Sequence, residues 1–386
     1  MALSAIDLLK KLIQCKSITP YEGGALTLLE KILKQNNFEC YRLKFGNNEE
    51  MVENLFARFG EGEPHICFAG HTDVVPAGNL GSWSHPPFEG KIFKDTIYGR
   101  GAVDMKGAIA AYVSATISWI KANQRFKGSL SFLITGDEEG EAQNGTKMVL
   151  EWMKKNNHIP DFCIVGEPTS KKKLGDMIKI GRRGSLSGKL TVFGKQGHVA
   201  YPDEAINPFP ILNKMLNPIL NSDFDDGSEH FPKSTSNVTS IDCNNTAYNV
   251  IPENVEAKFN IRFSDKFTQK SLEEMLVKHF DSVHRNYKVE FFCNAEPFLT
   301  KPDKLVEKIS KAIQKFTNIN PVLSTTGGTS DARFISKFCQ VIEFGLVGQT
   351  AHQVDEKVSI KEIELLAMIY KEILETSLIF GKDNVS

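Results

Sequence analysis

Three short stretches of this chain are largely apolar, and each stops at a glycine followed by a histidine or an acid. His65-Ile66-Cys67-Phe68-Ala69 runs into Gly70-His71-Thr72-Asp73, Ser129 to Thr135 runs into Gly136-Asp137-Glu138-Glu139, and Phe162 to Val165 runs into Gly166-Glu167. A strand buried on both faces reads as a near-continuous apolar run, whereas a half-exposed strand alternates. Such runs call for a mainly parallel sheet flanked by helices, and sheets of that kind gather their ligand chemistry beyond the carboxyl ends of the strands. The predicted fold class is therefore α/β, with chemistry-bearing side chains delivered repeatedly to strand ends.

The rest of the chain divides by texture. Leu3, Ile6, Leu9 and Ile13 fit an amphipathic first helix, Ala25 to Lys34 a second, and Phe38 to Phe45 and Asn54 to Phe59 read as strands. A long helix is predicted from about Ala108 to Ala122. From about Gly184 the pattern alternates: Leu186, Leu190 and Val192, then Val255, Ala257, Phe259, Ile261 and Phe263, with helical stretches at Pro208–Leu220 and Thr268–His284 and a strand at Tyr287–Cys293. That is α+β texture with a half-exposed antiparallel sheet. α/β texture returns with a helix over Asp303–Phe316, strands over Pro321–Ser324 and Val341–Phe344, and a last helix capped by Ser359 and running to about Phe380. The expected organisation is a larger α/β domain formed by 1–183 and 297–386, with a second, α+β domain inserted at 184–296. A length of 386 residues suits two domains.

Charge narrows the partners. Lys plus Arg number 46 against 47 Asp plus Glu, so no global field draws the chain to nucleic acid or an anionic membrane, and an anionic ligand needs local arginines. No apolar run reaches the roughly 18 residues that span a bilayer. Seven scattered cysteines, without a Cys-x-x-Cys pair, point to reduced thiols in the cytoplasm.

Taken singly, each strand-end residue has an ordinary explanation. A His-x-Asp pair makes loop hydrogen bonds, Asp104 before a helix is an N-cap, and Asp137 to Glu141 is a solvated turn. Together, His71, Asp104, Glu138, Glu139, Glu167 and His352 supply two imidazoles and several carboxylates, a donor set for zinc, manganese or cobalt, and the absence of cysteine speaks against a closed structural zinc site. The set is too rich for one catalytic ion; two metals bridged by a carboxylate and a water use it fully. Of the adjacent Glu138 and Glu139, one is needed as ligand and the other as the free general base. Asp73, two positions after His71 in extended chain, is placed to fix the ring tautomer.

Quoted in order, GHTDVVPAG, YGRGAVDMKGA, ITGDEEGEA, VGEPT, GKQGHVAYP, GGTSDARF and AHQVDE resemble the dinuclear zinc aminoacylase and glutamate carboxypeptidase family over nearly the whole chain. The resemblance implies amide hydrolysis with two zinc ions per subunit, cobalt being able to substitute. It implies that His71 and Glu167 bind one ion, Glu139 and His352 the other, and that Asp104 bridges. Asp73 then orients His71, Glu138 is the general base, and His198 reaches from the partner of a homodimer to steady the oxyanion. For a small acylamino acid bearing several carboxylates, Arg182 and Arg262 are the expected anchors, with Tyr201, Asn249 and Thr329 also touching substrate. Arg333 is expected to pair with an internal acid. A different acylamino acid or a small peptide is the alternative substrate.

Overall fold

A computed structural model describes residues 4–47, 51–222 and 224–378. Leu3 of the first helix and residues 379–380 of the last lie outside them. The chain forms two compact units: one of residues 1–180, 300–324 and 330–386, the other of 181–299 and 325–329.

The first unit is built on an eight-stranded sheet in the order Glu39–Phe45, Val52–Glu61, Gly128–Thr135, His65–His71, Phe162–Val165, Gln340–Glu343, Met177–Lys179, Val322–Ser324. The central strand, His65–His71, runs parallel to both neighbours, and Gln340–Glu343 runs parallel to Phe162–Val165. Glu39–Phe45 and Val52–Glu61 pair antiparallel along one side. Every residue of the three central strands is buried, as their apolar runs require. Register sets His71 opposite Thr135 and Ala69 opposite Val165, so Gly136 and Glu167 emerge level with the imidazole.

Helix Lys106–Ala122 is buried on almost every side, and its sequence is correspondingly apolar all round rather than striped. Tyr112 on this helix stacks on Phe68 at 4.2 Å between ring centroids and meets Tyr370 of helix Ile360–Leu378 at 5.0 Å. The Tyr370 hydroxyl donates to the Phe344 carbonyl at 2.6 Å, which satisfies its polar end in the core. Ser359 ends a short strand and stands immediately before the last helix, where its backbone amide donates to the Glu362 carboxylate; the first amide of that helix donates to the Asp95 carbonyl at 2.9 Å. Helix Thr146–Lys155 has no counterpart in the sequence reading, although Thr146, Val149, Leu150 and Met153 stand at the i, i+3, i+4, i+7 spacing of its buried face.

The second unit carries a four-stranded antiparallel sheet in the order Thr235–Asp242, Asn254–Phe263, Gly184–Phe193, Tyr287–Ala295. Val255, Ala257, Phe259, Ile261 and Phe263 all point to one face. There they pack with Leu212, Met215 and Leu216 of helix Pro208–Asn221 and with Leu272, Leu276 and Phe280 of helix Gln269–Val283. Strict alternation thus buries one side of the sheet. Among the described residues no helix is long and apolar enough to cross a membrane.

Candidate metal centre

The strand ends of the first unit bring the predicted ligands together. The Asp104 carboxylate is shared between two histidines: Oδ1 lies 3.2 Å from His71 Nε2, and Oδ2 lies 3.2 Å from His352 Nε2. Glu167 Oε1 is 3.9 Å from His71 Nε2, and Glu139 Oε1 is 2.8 Å from His352 Nε2. Potential donor atoms within 4.8 Å of one another form the triads His71, Asp104, Glu167 and Asp104, Glu139, His352. A third, His71, Glu138, Glu139, draws in the remaining acid. Asp104 makes no capping bond to helix Lys106–Ala122, whose N-cap position is Met105, and the Asp104–Met105 peptide bond is cis. His352 adopts a left-handed backbone, φ 62°, a conformation in which histidine is less disfavoured than most residues.

Asp73 departs from the expected geometry. His71 Nδ1 faces the Asp73 backbone carbonyl at 2.9 Å, with the carboxylate further away at 3.6 Å. The carboxylate instead accepts from the Glu138 amide at 3.3 Å, the Glu139 amide at 3.0 Å and the Thr19 hydroxyl at 2.8 Å. The strand ends at His71, so strict alternation no longer governs Asp73, and its side chain turns to the neighbouring loop.

The donor set fits a divalent ion: imidazole nitrogen and carboxylate oxygen, with no thiolate. Burial raises the Glu167 pKa well above the carboxylate range, and the Asp104 and Glu138 charges add to it. Burial, with Asp331, Glu139 and Asp104 nearby, pushes Glu138 up to about 8 against the opposing pull of His71. Burial opposes charge on His71, but Asp104, Glu138 and Asp73 outweigh it and hold the imidazole well above its ordinary value. Hydrogen bonds to Asp104 and Glu139 bring His352 to about 10. Crowded acids of this kind are stabilised by positive charge at their centre.

The predicted substrate residues and His198 all belong to the second unit. His198 is exposed and its Nδ1 accepts the Ala200 amide at 3.1 Å; in a neutral ring this leaves Nε2–H as a donor. The Tyr201 ring lies 5.7 Å from the His198 ring, and the Asn249 carbonyl accepts from the Val199 amide at 3.1 Å. Arg182 donates to the Gly328 carbonyl at 2.9 Å, one residue before Thr329. Arg262 lies opposite Ser185 and Thr235 in the sheet, and partial burial lowers its pKa.

Two participants escaped the sequence reading. Thr19 holds the Asp73 carboxylate, and nothing local marks a threonine 54 residues away as its partner. Asp331, in GGTSDARF, is 5% exposed, raised to about 6 by burial, and leaves Oδ1 without a hydrogen bond. The Arg333 charge favours the ionised form of Asp331, and the guanidinium lies 4.5 Å above the Phe334 ring.

The sequence profile of "Peptidase family M20/M25/M40" matches residues 67–376. A succinyl-diaminopimelate desuccinylase of Beijerinckia indica is 50% identical over 379 residues, covering 97% of this chain and 99% of that protein. Among solved structures, an M20 family metallo-carboxypeptidase from Sulfolobus solfataricus superposes with a TM-score of 0.75 at 19% identity, covering 96% of this chain and 98% of the other. A dinuclear metal binding peptidase of the M20 family from Bacillus subtilis does so with a TM-score of 0.71 at 14% identity, covering 96% of each chain.

Proposed function

This chain belongs to peptidase family M20/M25/M40, and on that footing we propose that it hydrolyses N-succinyl-LL-2,6-diaminopimelate to LL-2,6-diaminopimelate and succinate, a step toward lysine. It is a metal-dependent amide hydrolase. The observation that carries the reading is Asp104 standing 3.2 Å from each of two histidines, with one acid of the Glu138–Glu139 pair left over from their two triads. We assign two zinc ions per subunit, one to His71, Asp104 and Glu167 and one to Asp104, Glu139 and His352, with cobalt able to replace them. Bound there, such ions polarise the scissile carbonyl and lower the pKa of a water toward neutrality.

The chain's own groups do the rest. Glu138 takes a proton from the attacking water and returns it to the leaving amine nitrogen. Burial raises the proton affinity of Glu138 above that of an exposed carboxylate, which favours the uptake of that proton. The partner subunit's His198 donates Nε2–H to the oxyanion, a role its Nδ1 hydrogen bond prepares. Arg182 and Arg262 hold substrate carboxylates, with Tyr201, Asn249 and Thr329 also touching substrate. The inserted segment at 184–296 is assigned to dimerisation. Seven free thiols suit the reducing cytoplasm, where the substrate is a small molecule and neither nucleic acid nor membrane takes part.

The test is a comparison of kcat/KM for succinyl-diaminopimelate, N-acetylornithine and a dipeptide with the zinc-loaded protein. A clear preference for the first is expected. A preference for acetylornithine or the dipeptide removes the assignment of substrate while leaving the hydrolase.

A further inference from the structure

Glu356 lies four residues beyond His352, and its carboxylate is wholly buried. It accepts four hydrogen bonds. Oε2 takes Arg100 Nη1 at 2.7 Å and the Gly101 amide at 2.9 Å; Oε1 takes the Val103 amide at 2.8 Å and the Asp104 amide at 3.1 Å. The turn that carries Asp104 thus wraps its amides around an acid from a segment more than 250 residues away. Gly101 makes the wrap possible: its φ is 82°, and a Cβ there would stand 2.7 Å from Val74 Cγ1.

Arg100 completes the link from the other side. It is 2% exposed, its Nη1 also donates to the Gln353 carbonyl at 3.2 Å, and its Nη2 reaches the His352 and Pro76 carbonyls, each at 3.4 Å. The guanidinium sits 5.3 Å from the Trp83 ring. One ion pair therefore fastens the backbone of Asp104 and the backbone of His352 to each other.

We propose that Glu356 and Arg100 are positioning residues that set the spacing between the Asp104 and His352 ligands, and hence the affinity and geometry of metal binding. The proposal rests on the metal-ligand reading given above. Asp104 faces both imidazoles at 3.2 Å, and a divalent ion accepts its donors only within a few tenths of an ångström. A buried pair with no such role contributes to folding alone, and the two cases separate experimentally.

In Glu356→Gln either orientation of the amide sets its NH2 against donors, the Gly101 amide and Arg100 or the Val103 and Asp104 amides, while the remaining oxygen still accepts. The protein is stripped with a chelator, titrated with zinc by calorimetry, and loaded with Co2+ for visible absorption spectra. Leu33→Ala, in a helix outside the site, is the control for destabilisation alone. The expected result is zinc affinity lowered by about 10- to 100-fold in Glu356→Gln, with an altered cobalt spectrum, a lower kcat and little change in KM. Arg100→Lys, which keeps the charge and loses the fork, provides the same readings should Glu356→Gln fail to fold, with the same direction expected. Variants that melt earlier, as Leu33→Ala does, yet bind zinc with wild-type affinity and an unaltered cobalt spectrum overturn the proposal. A wild-type protein that binds neither metal overturns the metal-ligand reading itself and the proposal with it.

Discussion

His71 Nδ1 lies 2.9 Å from the backbone carbonyl of Asp73, while the Asp73 carboxylate, 3.6 Å from the ring, is bound to the amides of Glu138 and Glu139. The main chain fixes the tautomer of the histidine, and the side chain fixes the loop that carries Glu138 and Glu139. The Asp73 carboxylate thereby joins the strand end that carries His71 to the loop that carries the proposed base, Glu138.

Asp73→Asn replaces an acceptor of three donors by a group that must turn an NH2 toward at least one of them. The expected cost is about 1–3 kcal/mol of stability, read by urea denaturation. A fall in kcat through misplacement of Glu138 is expected alongside it. Wild-type stability and turnover in this variant would show that the loop holds itself.

Glu138→Gln keeps the shape of the side chain and removes its capacity to take a proton. Turnover is expected to fall by at least about 10²-fold while metal content, measured by atomic absorption, stays at the wild-type level. Unchanged turnover refutes the assignment of Glu138 as base.

Removal of metal with a chelator is expected to abolish hydrolysis, and zinc or cobalt to restore it. His352→Ala takes one donor from the triad with Asp104 and Glu139 and leaves the triad with Glu167 intact. One tightly held ion per subunit is expected for the variant against two for the wild type; loss of both, or of neither, contradicts the division of ligands.

Mixing two inactive variants tests the proposed homodimer and whether His198 acts across its subunit boundary. His198→Ala and Glu138→Gln subunits are each expected to be inactive alone. Mixed after partial denaturation, they regain activity only if one subunit's intact Glu138 works with its partner's intact His198. No recovery in demonstrably mixed dimers places the histidine in its own subunit's site.

His65 gives the stability a pH dependence independent of the metal ligands. It is 4% exposed at the start of the central strand, 2.8 Å from Ser131 Oγ, and burial together with the Arg58 charge lowers its pKa from 6.5 to about 4. The folded state therefore binds fewer protons than the unfolded state between these values. The contribution is full above pH 6.5 and is lost as pH falls toward 4, with a span on the order of 3 kcal/mol. Denaturation at pH 7 and pH 5 is expected to show this slope in the wild type and a shallower one in His65→Gln. Equal slopes would mean that the imidazole is not held neutral.

The sequence by itself determined the elements and the inventory of chemistry. Continuous apolar runs such as Ile66–Ala69 fixed the buried strands, the alternation from Val255 to Phe263 fixed a one-sided antiparallel sheet, and the glycines after the runs marked where His71, Glu138 and Glu167 leave the sheet. These are periodic properties of neighbouring residues, and burial imposes them locally. Helix Thr146–Lys155 carries such a signal in its buried face, whereas Glu356 and Thr19 carry none. An acid that ends AHQVDE looks the same whether it is solvated or holds the amides of Gly101, Val103 and Asp104, because its partners lie more than 250 residues away. Only the tertiary structure decided which oxygen of Asp104 faces which histidine, and that Asp73 serves the loop rather than the ring. Those choices depend on sheet register and loop convergence, in which a shift of one residue leaves every local pattern intact and moves every donor atom.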